Sequence, residues 1–351
     1  MTATAPLRST DVLDGFILPQ ELEATRPAET RGLRRDQVRL MVTDREGIRH
    51  RVFHDLASEL RDGDLIVVNN SSTLPAAVVI DGDLVVHFST QLSGGLHVVE
   101  LRRLSGASSL PHEDPRAGRL QLPGGGVIDL LTPYPVGVGS RRLWVATADL
   151  GRPLTEYVET WGRPIRYRHT DGPYPLDAYQ TIFAMVPGSA EMPSAGRPFT
   201  DRLVTALTTQ GVAVAPLTLH TGVSSLEAGE DPYPEWFEVP ESTAALVNHT
   251  RANGGRVVAV GTTVVRALET TVDSRGRSHP GRTWTDLVIG SDHTLGVVDG
   301  LITGWHEPES THLDLLEAVA GRRLLAESYR NALEHGYLWH EFGDSHLILP
   351  D

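Results

Sequence analysis

The chain has 351 residues, of which 40% are apolar and 22% charged, and a formal net charge of −14. That length allows a sizeable core and two domains, and the acidic balance argues against indiscriminate nucleic-acid binding. Cysteine is absent and all 31 basic residues are arginine. This excludes disulfides, thiolate metal sites, a cysteine nucleophile, a Schiff-base lysine and an ordinary P-loop.

The opening "MTATAPLRST" has no basic head followed by an apolar run. No stretch approaches the roughly 18 to 20 apolar residues that span a bilayer, so a cytoplasmic protein is expected. Arg26, Arg31, Arg34, Arg35 and Arg39 crowd one short segment. A charge run of this kind reads first as a solvated loop with local ion pairs, and second as a ligand-binding arm.

"VRLMVTD" and "GDLIVVNN" read as strands, with "FHDLASELRDG" a short helix between them that ends at Gly63. From 76 to 148 the texture changes to short β-rich runs such as "AAVVIDGDLVVHFS" and "GLHVVELRRL", separated by Gly, Pro or Ser turns. The fold class expected is therefore α/β (mixed α+β). A main mixed-sheet domain with packed helices, 1–75 and 149–351, carries a small inserted all-β barrel-like domain, 76–148. Tyr179 and Phe183 then fall at helical spacing, which usually means core and less often a face that stacks on a purine.

Strands and helices alternate after that. Thr200 is expected to cap "DRLVTALTTQ", Ser242 to cap "TAALVNHTRAN" and Ser310 to cap "THLDLLEAVAG". "VAVAPLTLH", "RVVAV", "TDLVIG" and "DSHLILP" read as strands, with a hairpin about Asp299-Gly300. A helix "RRLLAESYRNALEH" closes at Gly336. Such alternation implies a sheet covered by helices.

Three places carry candidate chemistry. "RVVAVGTTVVRALE" turns from strand to helix at Gly261-Thr262-Thr263, where unpaired amides and a partial positive charge suit a carboxylate or phosphate. Taken alone, a plain capped helix explains it at least as well. Arg266 and Glu269 follow at i and i+3 on one face, as an expected ion pair. "TLHTG" and "GWHEPEST" place His220 and His306 at strand ends facing loops, where α/β proteins put ligands. No HExxH or comparable spacing occurs among the histidines, so no catalytic metal is expected.

Together these stretches resemble the S-adenosylmethionine:tRNA ribosyltransferase-isomerase family of the queuosine pathway. The resemblance runs in order through "LPQELEATRPAE", "GDLIVVNNSSTLPAA", "YQTIFA", "PSAGRPFT", "LTLHTG", "EWFEVP", "GGRVVAVGTTVVRALE", "VVDGLITGWHEPEST" and "GDSHLIL". It implies transfer and isomerisation of the ribosyl part of S-adenosylmethionine onto the aminomethyl group of a 7-deazaguanine in tRNA, with adenine and methionine released. The sulfonium acidifies the neighbouring C5′ proton, so a modest base suffices. No cofactor beyond S-adenosylmethionine as substrate is implied. The resemblance points to His220, Glu235 and His306 as catalytic, and to Tyr179, Gly261, Thr262, Thr263, Arg266 and Glu269 as binding S-adenosylmethionine.

The chain departs from the family pattern at several polar positions. Asn-Asp-Thr-Arg-Val is here Asn69-Asn70-Ser71-Ser72-Thr73, and Pro-Ala-Arg is Pro75-Ala76-Ala77. Ala-Gly-Leu-His-Phe-Thr is Ala195-Gly196-Arg197-Pro198-Phe199-Thr200, and a histidine before "EWFEVP" is replaced at Tyr233. The motif at His220 is changed at Thr221, Ser224, Ser225 and Leu226, and the one at His306 at Trp305 and Glu307. Two arginines lost from an acidic chain weigh against tRNA as partner. They leave a small-molecule acceptor, simple cleavage of S-adenosylmethionine, or a non-catalytic nucleoside- or RNA-binding protein as alternative readings.

Overall fold

The computed structural model describes residues 13, 15–105, 108–135, 142–223, 232–308 and 310–350. Positions 224–226 and 309 of the motifs above, and the first 12 residues, lie outside the described residues. In chain order the strands are β1 (Arg39–Asp44), β2 (Gly47–Val52), β3 (Leu65–Asn69), β4 (Ser71–Thr73), β5 (Ala77–Asp81), β6 (Leu84–Gln91), β7 (Leu96–Ser105), β8 (Ser108–Pro111), β9 (Gly118–Gln121), β10 (Val127–Tyr134) and β11 (Leu143–Asp149). They continue with β12 (Gly162–Arg163), β13 (Val186–Ser189), β14 (Ala213–Leu219), β15 (Glu235–Val239), β16 (Val257–Val260), β17 (Gly281–Thr285), β18 (Gly300–Thr303) and β19 (Ser345–Leu349). The helices are α1 (Leu154–Trp161), α2 (Asp201–Thr209), α3 (Glu241–Ala252), α4 (Thr262–Thr270), α5 (His312–Ala320) and α6 (Arg322–Glu334).

The chain forms two compact units. The first takes Met1–Asn69, Ser194–Thr218 and Leu226–Asp351; the second takes Asn70–Pro193 and Leu219–Ser225. The stretch 76–148 falls within the second unit, which also gathers 149–193. The reason is local pairing: β12 adds to the edge of β5, and β13 pairs with β4.

The first unit is built on a mixed sheet in the order β17-β15-β14-β3-β16-β18-β19-β1-β2. β3 pairs in parallel with both β14 and β16, and β16 with β18. Every residue of β3, β16 and β19 is buried. Continuous apolar strands of this kind belong to sheets covered by helices. Trp305, Tyr329 and Trp339 form an aromatic cluster in this unit, with ring centroids 5.2–5.6 Å apart.

The second unit carries an antiparallel sheet in the order β12-β5-β6-β7-β11-β10-β9, with β8 on β7. Register shifts at Val79/Asp81, Phe88/Thr90 and Leu130/Thr132 mark bulges. Bulges raise local twist and bend strands, which suits a sheet that curls on itself.

Several local expectations are corrected. The short helix expected after β2 is present as a 3-10 helix, Phe53–Glu59. α3 starts after Pro240 with no side-chain cap, so Ser242 lies inside it. Ser310 accepts the His312 amide at 3.3 Å from one residue ahead of the N-cap, Thr311. Thr200 does cap α2, accepting the Leu203 amide. Asp299-Gly300 is not a hairpin: Gly300 opens β18, and the Asp299 carboxylate accepts the Val257 amide at 2.9 Å. "TDLVIG" is largely outside β17, which runs from Gly281 to Thr285 and pairs with β15. Tyr179 ends a 3-10 helix, Leu176–Tyr179, that does not continue to Phe183.

Candidate active site

In the first unit, β16 runs into Gly261 with φ 95° and ψ 151°, a conformation open to glycine almost alone. The Gly261 amide donates to the Ile302 carbonyl of β18 at 2.8 Å. Its own carbonyl accepts from Val264 and Val265. The first-turn amides of Thr262 and Thr263 have no acceptor within the helix, as at any α-helical start. No side chain caps α4. The threonine hydroxyls therefore do not hold this helix end, and the plain-cap reading of the turn is corrected. Thr262 is buried and Thr263 half-buried.

Arg266 and Glu269 do not pair with each other. Arg266, 6% exposed, donates Nε to the Leu287 carbonyl at 2.9 Å and Nη1 to Glu235. Glu269 accepts the amides of Gly296, Val297 and Val298 at 2.7, 3.0 and 3.1 Å. Both side chains serve to hold loops against α4, and neither presents its charge at the Gly261 turn. Glu235, expected to be catalytic, is the ion-pair partner of Arg266.

His306 follows the end of β18 and is half-buried. Its Nε2 lies 2.9 Å from the Thr303 hydroxyl, and its ring centroid is 4.6 Å from that of His312. Burial pushes its pKa well below the ordinary imidazole value, with the neighbouring imidazoles of His312, His340 and His346 adding to the effect. Because β16 and β18 are parallel neighbours, their C-terminal ends bring the Gly261 turn and His306 to one edge of the sheet. That edge is where open α/β sheets place ligands.

In the second unit, His220 Nδ1 lies 2.8 Å from the Ser71 hydroxyl, which lies 2.6 Å from the Ser189 hydroxyl. Ser189 in turn accepts the Thr221 amide at 3.1 Å. The imidazole rests on Gly188, where an added Cβ would lie 2.4 Å from Cε1. Burial lowers the His220 pKa to about 4, so the ring is neutral at pH 7. Tyr179, expected as a stacking face, is 1% exposed and packs against Tyr167 at 6.0 Å. It is placed as a core side chain.

The sequence reading missed Ser71, Ser189 and Thr303. The first two were visible only as a departure from the family pattern and as an unremarked serine after Pro187-Gly188. Of the N-terminal arginines, Arg34 and Arg35 make the expected local ion pairs, with Asp36 and Glu29, whereas Arg39 in β1 pairs with Asp344, 305 positions away, and Arg31 donates to the Phe342 carbonyl. Arg197, next to the departure at Pro198, is 3% exposed and bonded to Glu29 at 2.8 Å.

Residues 14–348 match the family model described as queuosine biosynthesis protein. The chain belongs to that family. It is 36% identical to the S-adenosylmethionine:tRNA ribosyltransferase-isomerase of Symbiobacterium thermophilum, over 95% of this chain and 98% of that one. The protein of the same name from Gloeobacter violaceus is 34% identical, over 99% and 98%. A crystal structure of S-adenosylmethionine tRNA ribosyltransferase from Thermotoga maritima superposes with a TM-score of 0.52. It shares 28% identity, over 95% of this chain and 99% of that one. The family's mixed α/β architecture is thus the architecture of this chain.

Proposed function

We propose that this chain is an S-adenosylmethionine:tRNA ribosyltransferase-isomerase, moving the ribosyl part of S-adenosylmethionine onto a tRNA base with release of adenine and methionine. The observation that carries the reading is the 36% identity to a relative of that name over 95% of the chain. Such an extent takes in both compact units and the Gly261, His220 and His306 stretches alike.

The proposed roles follow from the chemistry. The Gly261–Thr263 turn offers amides without intrahelical acceptors to the carboxylate of S-adenosylmethionine. Arg266, with Glu235, is a positioning residue that holds the segments around 233–235 and 285–287 to α4. His306, neutral and held by Thr303, is the candidate base for the proton beside the sulfonium within the first unit. His220, neutral and oriented by Ser71, is the corresponding candidate in the second. No metal or redox group enters this scheme.

The test is incubation of the purified chain with S-adenosylmethionine, with and without tRNA bearing the aminomethyl-deazaguanine base, while adenine and methionine are followed. tRNA-dependent release of both supports the reading, and release without tRNA supports the cleavage alternative. Release of neither overturns the enzymatic reading. His306→Gln and His220→Gln, measured separately, distinguish the two histidines.

A further inference from the structure

Three side chains of the second unit form a hydrogen-bonded line. His220 Nδ1 lies 2.8 Å from the Ser71 hydroxyl, and that hydroxyl lies 2.6 Å from the hydroxyl of Ser189. Ser71 and Ser189 are both 0% exposed. Distance alone leaves the direction of the two hydroxyl bonds open. The direction matters, because it decides which ring nitrogen of His220 carries the proton.

The backbone supplies the direction. Thr221 donates its amide to Ser189 Oγ at 3.1 Å. The chain after β13 is pinned for this contact, since Ala190 donates to the Thr221 carbonyl at 2.8 Å and the Thr221 hydroxyl donates to the Glu191 carbonyl at 2.6 Å. An amide can only donate, so Ser189 Oγ accepts there and its own proton needs an acceptor. Among the described residues, the Ser71 hydroxyl is the acceptor within its reach. With the opposite polarity Ser189 would accept from both Ser71 and Thr221. Its own proton would then be buried without a partner, which native interiors avoid. Ser189 therefore donates to Ser71, and Ser71 turns its own proton to Nδ1.

A ring nitrogen that accepts carries no proton. The ring is neutral at pH 7, since burial lowers its pKa to about 4, so its single proton sits on Nε2. Gly188 sets how the ring lies. A Cβ at that position would be 2.4 Å from Cε1 and 2.5 Å from Nδ1, so any side chain there would push the ring off Ser71. With Nδ1 engaged and Nε2 protonated, this imidazole offers an N–H and has no lone pair for a substrate proton.

We propose that Ser189 and Ser71 are positioning residues that fix His220 as the Nε2–H tautomer, so that His220 serves the ribosyl transfer as a hydrogen-bond donor to the substrate and not as its base. The acceptor class that fits is an atom gaining negative charge during transfer, as a nitrogen of the departing adenine does. His306 is then left as the candidate for removing the proton beside the sulfonium. This rests on the reading of the chain as an S-adenosylmethionine-using transferase.

The experiment reads the ring directly. The full chain is labelled with nitrogen-15 in its histidine rings, His220 is assigned by the signals lost in His220→Gln, and the tautomer is read at pH 7 by NMR. The expected result is a protonated Nε2 and an unprotonated, hydrogen-bonded Nδ1. Ser71→Ala and Ser189→Ala, checked for folding by a melting curve, should each shift the Nδ1 signal and mix the two tautomers. A proton on Nδ1 in the wild type overturns the inference, as does an Nδ1 signal unmoved in both alanine variants. Activity supplies the second arm. His220→Leu removes the donor and should lower kcat by about 10²–10³. His220→Gln keeps a side-chain N–H and should stay within about 10-fold of the wild type, where loss of a general base would cost about 10²–10⁴. Equal losses in the Gln and Leu variants overturn the donor role while leaving the proposed activity standing. Absence of tRNA-dependent adenine release in the wild type overturns the activity and the donor role with it, while the ring signals decide the tautomer by themselves.

Discussion

Arg266 of α4 reaches Glu235 of β15, 31 positions away, and not Glu269 on its own helix. Spacing of i and i+3 permits an ion pair, but here each charge is committed to a separate partner. Arg266 also holds the Leu287 carbonyl, and Glu269 holds three consecutive amides. The helix that begins at the candidate anion turn is thus pinned at two points by buried charges.

Breaking one member of a buried pair leaves the other uncompensated, at a cost of about 3–5 kcal/mol. Arg266→Ala and Glu235→Ala are each expected to lower stability on that scale, measured by chemical denaturation. The double variant should lose less than the sum of the two. Additive losses would mean that the two side chains do not depend on each other.

Glu269→Gln tests the second anchor. It keeps the shape but turns one acceptor oxygen into a donor facing a backbone N–H. A loss of about 1–3 kcal/mol is expected from an amide left unsatisfied, again by denaturation.

The Gly261 turn separates conformation from chemistry. Gly261→Ala forces an L-residue to φ 95°, ψ 151°, at a cost of about 1–3 kcal/mol. Thr262→Val and Thr263→Val remove hydroxyls that cap nothing in the fold, so melting temperature should change little. Affinity for S-adenosylmethionine should fall by about 1–2 kcal/mol at whichever position contacts the ligand, the scale of a lost hydrogen bond. Calorimetric titration and a melting curve on the same samples read both effects. Unchanged affinity in both valine variants would remove the hydroxyls from the binding site.

Acid should destabilise this protein early. Burial lowers the pKa of His220 and His312 to about 4 and of His346 to about 3. The Ser328 hydroxyl donates to the Leu324 carbonyl at 2.8 Å and so accepts from Thr43, which must then accept from His346 Nε2 at 2.8 Å. That fixes His346 as the Nε2–H tautomer. Between a folded pKa of 3 to 4 and an unfolded value of about 6.5, the unfolded chain binds protons that the native chain does not. Stability therefore rises with pH through this window and is lost as pH falls from about 6.5 toward 4. Denaturation midpoints measured from pH 7.5 to 4.5 should fall steadily. His346→Gln should flatten part of the slope, and a flat profile would contradict the buried-neutral assignment.

The elements legible in the sequence were those whose signal is local and repeated. β3 and β16 are unbroken apolar runs, and α2 has a threonine cap that the structure keeps. β2 was missed because "GIRHRV" pairs at the sheet edge and buries none of its residues fully. β17 was misplaced because "GRTWT" is polar and owes its extension to pairing with β15. Ser242 and Ser310 look like caps by composition, but a proline starts α3 and Thr311 starts α5. At the candidate site the turn at Gly261 and the histidines at strand ends were visible. The partner of Arg266 and the serines behind His220 were not, because both depend on chain segments far apart in sequence.

The most direct test of the account follows the ribose. S-adenosylmethionine labelled in its ribosyl carbons is incubated with the chain and with tRNA carrying the aminomethyl-deazaguanine base, and the tRNA is then digested to nucleosides. The account predicts label in a modified nucleoside, in step with adenine and methionine released and abolished by loss of whichever of His306 or His220 is the base. Adenine and methionine released with no label in the tRNA would contradict it.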